Sequence, residues 1–268
     1  MAKELRFGFG DNWKHYLDSI GRHNLDAAQT SIANRYGPDG LAGKRFLDAG
    51  SGSGVFSRAA ALMGANVVSF DFDAASVACT RALQRQLPGY PWEVSQGSLL
   101  DEAFMTSLGT FDVVYCWGVA HHIGEMWRAL ENLARRATGD IIISIYNDQG
   151  KPSKRWLAVK RAYNRHRWLR PLLIACAWCR LWGVKFIIDT LHGSPLKRWR
   201  TNNSDTRGMS ARHDLIDWVG GYPFEVAKPE QIFNFFLARG FELTDMTTQA
   251  GGIGCNEFAF RRRPEGDA

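Results

Sequence analysis

The chain has 268 residues, 45% of them hydrophobic and 12% aromatic, and a formal net charge of +6. That length and apolar share exclude a disordered tail or a disulfide-stapled miniprotein and allow one generous α/β domain carrying an insertion. The five cysteines (79, 116, 176, 179 and 255) are scattered and odd in number, and the start Met1-Ala-Lys-Glu-Leu-Arg has no apolar signal core; a reducing, cytoplasmic setting is expected.

Residues 1–41 read as helical and polar after an aromatic, glycine-rich opening, Phe7-Gly-Phe-Gly-Asp-Asn-Trp13. From Lys44 onward, short apolar runs alternate with helical stretches, the signature of βαβ units and a parallel sheet. The pattern predicts strands at 45–49, 66–70, 92–96, 112–117 and 141–146, with helices between them, for example at 55–63 and 75–86. A turn-rich stretch, Asn147-Asp148-Gln149-Gly150, follows the fifth strand. A basic segment comes next. A helix is predicted at 229–239, opened by a proline and stopped at Gly240, then two more strands at 242–247 and 256–260.

Glycines 50, 52 and 54 follow the first strand and open a helix. Lacking side chains, they let the backbone approach a ligand closely and adopt positive φ. About twenty residues on, the second strand ends at Asp71, where a carboxylate can accept both ribose hydroxyl hydrogens of an adenosine ligand. The loop alone also suits dinucleotides. However, Asp48 would repel a pyrophosphate while tolerating a ligand ammonium, and Gly-Ser-Gly-Ser-Gly is not the dinucleotide spacing.

The run Leu47-Asp-Ala-Gly-Ser-Gly-Ser-Gly54 resembles the first motif of class I S-adenosylmethionine (SAM)-dependent methyltransferases, and Phe70-Asp71-Phe-Asp73 resembles their second. Gly97-Ser98-Leu99 stands where that family contacts adenine. Phe111-Asp-Val-Val-Tyr-Cys-Trp-Gly-Val-Ala-His-His122 is similar to the fourth strand and loop of the ubiquinone-biosynthesis-like subgroup. Residues 230–260, with Gly251-Gly-Ile-Gly-Cys-Asn-Glu-Phe258, are similar to its closing helix and hairpin.

The resemblance implies a Rossmann-like α/β fold. Its seven-stranded sheet would be mostly parallel with an antiparallel last strand, flanked by helices, with a basic helical insertion after strand five. The expected division is 1–43 an N-terminal helical cap, 44–150 the SAM-binding core, 151–212 the insertion or lid, and 213–262 the completion of the fold. The cofactor would be SAM, contacted by Asp48, Gly50, Ser51, Gly52, Gly54, Asp71, Phe72, Ser98, Leu99 and Trp117. Trp13, with Phe9, would lie over it or pack in the core. The chemistry implied is in-line methyl transfer, which is mostly positioning, plus removal of a proton from a hydroxyl nucleophile.

The carboxyl ends of the strands face the ligand crevice in open α/β sheets. His121 and His122 follow the fourth strand there, either as a general base or as loop-shaping residues. His213 and Asp217 share a helical face at i, i+4 among Trp218, Tyr222 and Phe224, in a substrate pocket or merely at a capped helix start. No metal site is expected, because this spacing is not diagnostic.

Residues 151–212 hold 15 of the 33 Lys and Arg and two acids, a local net charge of +13, against −7 for the remainder. They also hold five of the ten tryptophans. The apolar stretch 171–191 contains Arg180 and Lys185, so an interfacial helix pair or a lid fits better than a membrane span. Cys176-Ala-Trp-Cys179 reads as two small apolar residues one turn apart. The expected activity is O-methylation of a small-molecule, glycan or lipid-linked hydroxyl; for the insertion, a dimerisation or lid helix with solvated charges and peripheral contact at a membrane surface are both left open. The alternative is an RNA or protein methyltransferase that grips its partner through the insertion. Nucleic acid is the less favoured partner, and homo-oligomer formation is left open.

Overall fold

Seven strands form one sheet: β1 (Arg45–Ala49), β2 (Asn66–Asp71), β3 (Trp92–Gln96), β4 (Phe111–Trp117), β5 (Ala137–Tyr146), β6 (Phe241–Thr247) and β7 (Cys255–Arg262). Their order is β3-β2-β1-β4-β5-β7-β6. The computed structural model describes residues 6–8, 22–193 and 211–264. Strands β1 to β5 run parallel, and β7 is antiparallel to both β5 and β6, so the sheet is Rossmann-like with one reversed strand.

β5 begins at Ala137, ahead of the predicted 141, because pairing rather than apolar pattern defines its start. Ala137 lies opposite Phe111 across a bulge. At Gly139 a Cβ would fall 2.4 Å from the Asp112 carbonyl oxygen, so only glycine lets the strands approach there.

Alternation along the strands sorts two cores. Leu47, Val114, Ile141 and Ile143 pack with Leu130 and Leu133 of α5 (Met126–Arg136) and Ile232 and Phe236 of α9 (Pro229–Leu237). Phe46, Val67, Val113, Tyr115 and Ile142 meet α1 (Arg22–Tyr36) and α2 (Val55–Leu62) on the other side. The same alternation assigns Asp48, Asp71, Trp117, Ser144 and Tyr146 to this second face, near the carboxyl edge. Helices α3 (Ala74–Gln84) and α4 (Glu102–Ser107) complete the βαβ units. Strand order reverses between β1 and β4, which opens a crevice at their carboxyl ends.

The segment after β5 folds as α6 (Lys151–Arg165) and α7 (Arg170–Leu191), and α8 (Ala211–Gly220) packs on both. Tyr163, Ala177, Leu215 and Val219 form its own small core, joined by Trp156, Leu181, Trp218 and Phe7. Phe7 is tied down by its backbone N–H, which donates to the Tyr222 carbonyl at 2.9 Å. Among the described residues no helix is long and apolar enough to cross a membrane. Phe9 and Trp13 lie outside the described residues, as does the side chain of His213.

Candidate active site

A cavity of about 1170 Å³ sits over the crevice. It exceeds the roughly 300–1,000 Å³ that one small ligand usually occupies, so there is room for two molecules. One end is walled by the loop after β1 and by the ends of β2 and β3: Asp48, Gly50, Ser51, Gly52, Asp71, Phe72, Ser98 and Leu99 all line it. Trp117 also lines it, stacked on Tyr115 at 5.7 Å between centroids. Gly54 is not on the wall. It starts α2, where a Cβ would press within 2.9 Å of Thr80 Cα, so it serves helix packing.

The loop geometry follows from its glycines. Gly50 has φ +84°, and a Cβ on it would fall 2.4 Å from a Val119 methyl of the loop after β4. The two loops that wall the crevice can therefore touch only because residue 50 has no side chain. The Gly50 and Ser51 N–H groups both donate to the Phe70 carbonyl. Asp71 accepts from Gly52 N–H at 3.0 Å and from Asp73 N–H at 2.9 Å. Burial raises its pKa, and these two bonds oppose the rise. A carboxylate has about four lone-pair sites, so Asp71 keeps acceptor capacity toward the cavity.

Asp48 is 3% exposed. It ends a chain in which Trp92 Nε1–H donates to Ser69, Ser69 to Ser57, and Ser57 to Asp48 at 2.5 Å. Burial pushes its pKa up to about 7, the Ser57 bond works against this, and the nearby Asp71 adds to it. A cation arriving beside Asp48 would favour the ionised form.

The other end is walled by His121, His122, Ser144, Tyr146, Leu181, Trp182, Leu215, Asp217, Trp218, Ile253 and Glu257, among others. The adjacent histidines differ. His122 Nδ1 lies 2.8 Å from the Pro223 carbonyl; a carbonyl only accepts, so this nitrogen carries the proton. Burial, then the Lys160 charge, push the His122 pKa down to about 3. His121 lies against the Tyr146 ring at 3.9 Å between centroids, and its Nδ1 is buried without a hydrogen-bond partner among the described residues. Burial, with His122 and Lys160 adding to it, holds its pKa well below the usual imidazole range, and a hydrogen bond from the ring to the Ser144 backbone opposes the fall.

Lys160, at the centre of α6, is fully buried. Its Nζ donates to the Trp218 carbonyl and lies 4.6 Å from the Trp218 ring centroid, 4.7 Å from Phe224 and 5.5 Å from Tyr146. Burial pushes its pKa down to about 7, with Asp217 and then Cys255 pulling it back up. Sequence reasoning passed over Lys160, Ser144, Tyr146 and Glu257. For Lys160 a signal existed: with Ser153, Trp156 and Tyr163 it occupies one face of an otherwise basic helix.

A reversed seventh strand, a crevice at the β1–β4 switch and an acid-flanked glycine loop define a Rossmann-like methyltransferase domain. Comparison with known proteins agrees. The family model described as a methyltransferase domain matches residues 47–140. The ubiquinone biosynthesis O-methyltransferase of Acinetobacter baylyi is 27% identical over 214 residues, covering 74% of this chain and 87% of that protein. Its counterpart from Azotobacter vinelandii is 30% identical over 159 residues, 54% of this chain and 66% of that protein, just under two thirds of its length. Among solved structures, magnesium protoporphyrin IX methyltransferase from Synechocystis PCC 6803 with bound SAH superposes with a TM-score of 0.55 at 17% identity, covering 94% of both chains. At that identity the likeness concerns the fold. Residues 47–140 thus form a methyltransferase domain, and the chain is similar to ubiquinone biosynthesis O-methyltransferases.

Proposed function

We propose that this methyltransferase acts on an oxygen of a small uncharged acceptor, a hydroxyl of a free, glycan or lipid-linked molecule. The observation that carries the reading is His121: a neutral imidazole with an unpartnered Nδ1, on the wall of the cavity at the end away from the glycine loop. Such a nitrogen can take the hydroxyl proton as the oxygen bonds to carbon. That the relatives are O-methyltransferases supports the same acceptor atom.

The near end fits SAM. A glycine cradle that any Cβ would fill and a buried carboxylate with spare acceptor capacity match an adenosine with its ribose diol. In this reading Asp71 receives the ribose hydroxyls and Phe72, Ser98 and Leu99 border the adenine. Asp48 faces the ammonium end, and Trp117 separates cofactor from acceptor. When bound, SAM supplies the electrophilic methyl carbon of its sulfonium. The chain's own part is to orient the acceptor, exclude water with α7 and α8, and hold the released proton on His121.

His121→Ala is expected to lower transfer from tritium-methyl SAM into fractionated cell extract by about 10²–10⁴-fold, with SAM affinity by calorimetry unchanged. Full turnover in that variant would remove His121 as the base. His122, already engaged by Pro223, is assigned to loop support, and Asp217 to the acceptor wall.

The alternative, an RNA or protein gripped by the insertion, is less well supported. The α7 side chains on the cavity are Leu181 and Trp182, which are apolar. The outward face of α7 instead suits an anionic lipid surface. Leu172, Cys176, Cys179, Phe186, Ile187 and Leu191 are exposed along one stripe that also carries Arg180 and Thr190, and Trp168 stands 77% exposed at its start. Residues 151–191 contain ten Lys and Arg against a single acid, Asp189, which is buried. An apolar stripe in a basic field is the pattern of an interfacial helix; a second copy of the chain would bring like charge. Co-sedimentation with phosphatidylglycerol vesicles is expected, falling about tenfold for an Ile187→Asp, Leu191→Asp double variant. Equal binding to phosphatidylcholine vesicles would refute it.

A further inference from the structure

Three buried polar atoms around Tyr146 have no hydrogen-bond partner among the described residues: His121 Nδ1, Ser144 Oγ and Trp218 Nε1. All three belong to residues that line the cavity. Ser144 and Tyr146 share a face of β5 two residues apart. Tyr146 in turn packs on His121 at 3.9 Å and edge-on to Trp218 at 5.2 Å. Ser144 is fully buried, as is His121 at 1% exposure. Native interiors rarely leave such groups unmade, and each one left so carries the desolvation cost of a hydrogen-bonding group. Three of them around one ring, in one cavity wall, call for a polar ligand.

We propose that Ser144 Oγ and Trp218 Nε1 join His121 Nδ1 as the polar subsite that selects the methyl acceptor, and that this subsite takes a neutral hydroxyl while rejecting ammonium and carboxylate groups. The inference rests on the hydroxyl-acceptor reading above and adds to it the residues that discriminate. The valence count supports it. With the ring proton of neutral His121 on Nε2, its Nδ1 only accepts; Trp218 Nε1–H only donates, and Ser144 does either. A hydroxyl donates its hydrogen to His121, accepts from Trp218 with one lone pair, and keeps the other for the methyl carbon, which leaves Ser144 Oγ for a neighbouring polar atom of the same acceptor molecule. An ammonium has no lone pair for Trp218. A carboxylate has no hydrogen for His121. A site built to bond a hydroxyl discriminates strongly because a ligand lacking it leaves buried groups unpaired.

The test uses the full chain, tritium-methyl SAM and the low-mass fraction of a cell extract as the acceptor probe. The labelled product of the parent protein is expected to withstand alkali and to pass through a cation exchanger, as a methyl ether does. Ser144→Ala is expected to cut transfer by more than about fivefold, because one acceptor contact is lost. SAM affinity should stay within about twofold and the ligand-free Tm should hold or rise, because the substitution removes an orphan. Trp218→Phe, which keeps the ring packing, should behave likewise. A fall in Tm or a smaller loss of transfer in Ser144→Ala overturns the subsite while leaving hydroxyl methylation standing. Alkali-labile label or retained cationic product overturns the hydroxyl reading itself.

Discussion

Asp71→Ala is expected to weaken SAM binding by about 100-fold, close to 3 kcal/mol, measured by titration calorimetry on a chain that remains folded by circular dichroism. The size follows from what the carboxylate does: bonds to a charged group are worth roughly 1.5–3 kcal/mol each, and a ribose diol offers two. The carboxylate also receives Gly52 N–H at 3.0 Å, so its loss loosens the glycine loop as well. Asp71→Asn, which preserves size and one acceptor oxygen, should lose less. Unchanged affinity in Asp71→Ala would move the ribose away from β2 and sink the placement of the cofactor.

Lys160→Met is expected to stabilise the protein by about 2 kcal/mol at pH 7, an increase of about 2–4 °C per kcal/mol in Tm for a domain this large. Lys160 is fully buried and its pKa is pushed down to about 7, mainly by burial. An unfolded lysine titrates near 10.4. Between pH 7 and that value the unfolded chain binds the extra proton, so the parent gains stability as pH rises. Below pH 7 both states are charged and the full burial cost remains. A shift of this size corresponds to about 4–5 kcal/mol at most. The rings of Trp218, Phe224 and Tyr146 and the Trp218 carbonyl offset part of it. The advantage of the variant should therefore shrink from pH 7 toward pH 10, which thermal melts across that range will register. A variant less stable than the parent at pH 7 would mean that the cage more than compensates the charge. Because the Lys160 charge also holds both histidines low, the acid limb of methyl transfer should move to higher pH in the same variant.

Much of the fold was legible because its signals are local. β1 runs Arg45–Ala49 and β3 Trp92–Gln96, as the apolar runs at 45–49 and 92–96 predict, since each is bounded by turn residues. α9 opens at Pro229 as predicted, though it ends at Leu237, ahead of 239. The early start of β5 was hidden because Thr138, Gly139 and Asp140 carry no apolar pattern; pairing with β4 across a bulge defines them. In the insertion, composition announced helices and positive charge. It did not distinguish the face of α7 that turns Leu181 and Trp182 to the cavity from the face that exposes Leu172 and Ile187.

The glycine-loop end of the cavity was legible for the same reason: glycine conformation and a strand-end acid are decided within a few residues of chain. The histidine end was not. His121 and His122 are neighbours of identical type, and no pattern tells them apart. Only the arrival of Pro223, about a hundred residues on, engages His122 Nδ1, while Tyr146 covers His121. Likewise, nothing in Ser144 or Trp218 by itself marks an unpaired atom. By itself, then, the amino-acid sequence determined the sheet, the glycine loop and the class of cofactor. Tertiary structure decided which histidine is unpartnered, which lysine is buried and which polar atoms surround Tyr146, because burial and hydrogen-bond satisfaction depend on elements far apart in the chain.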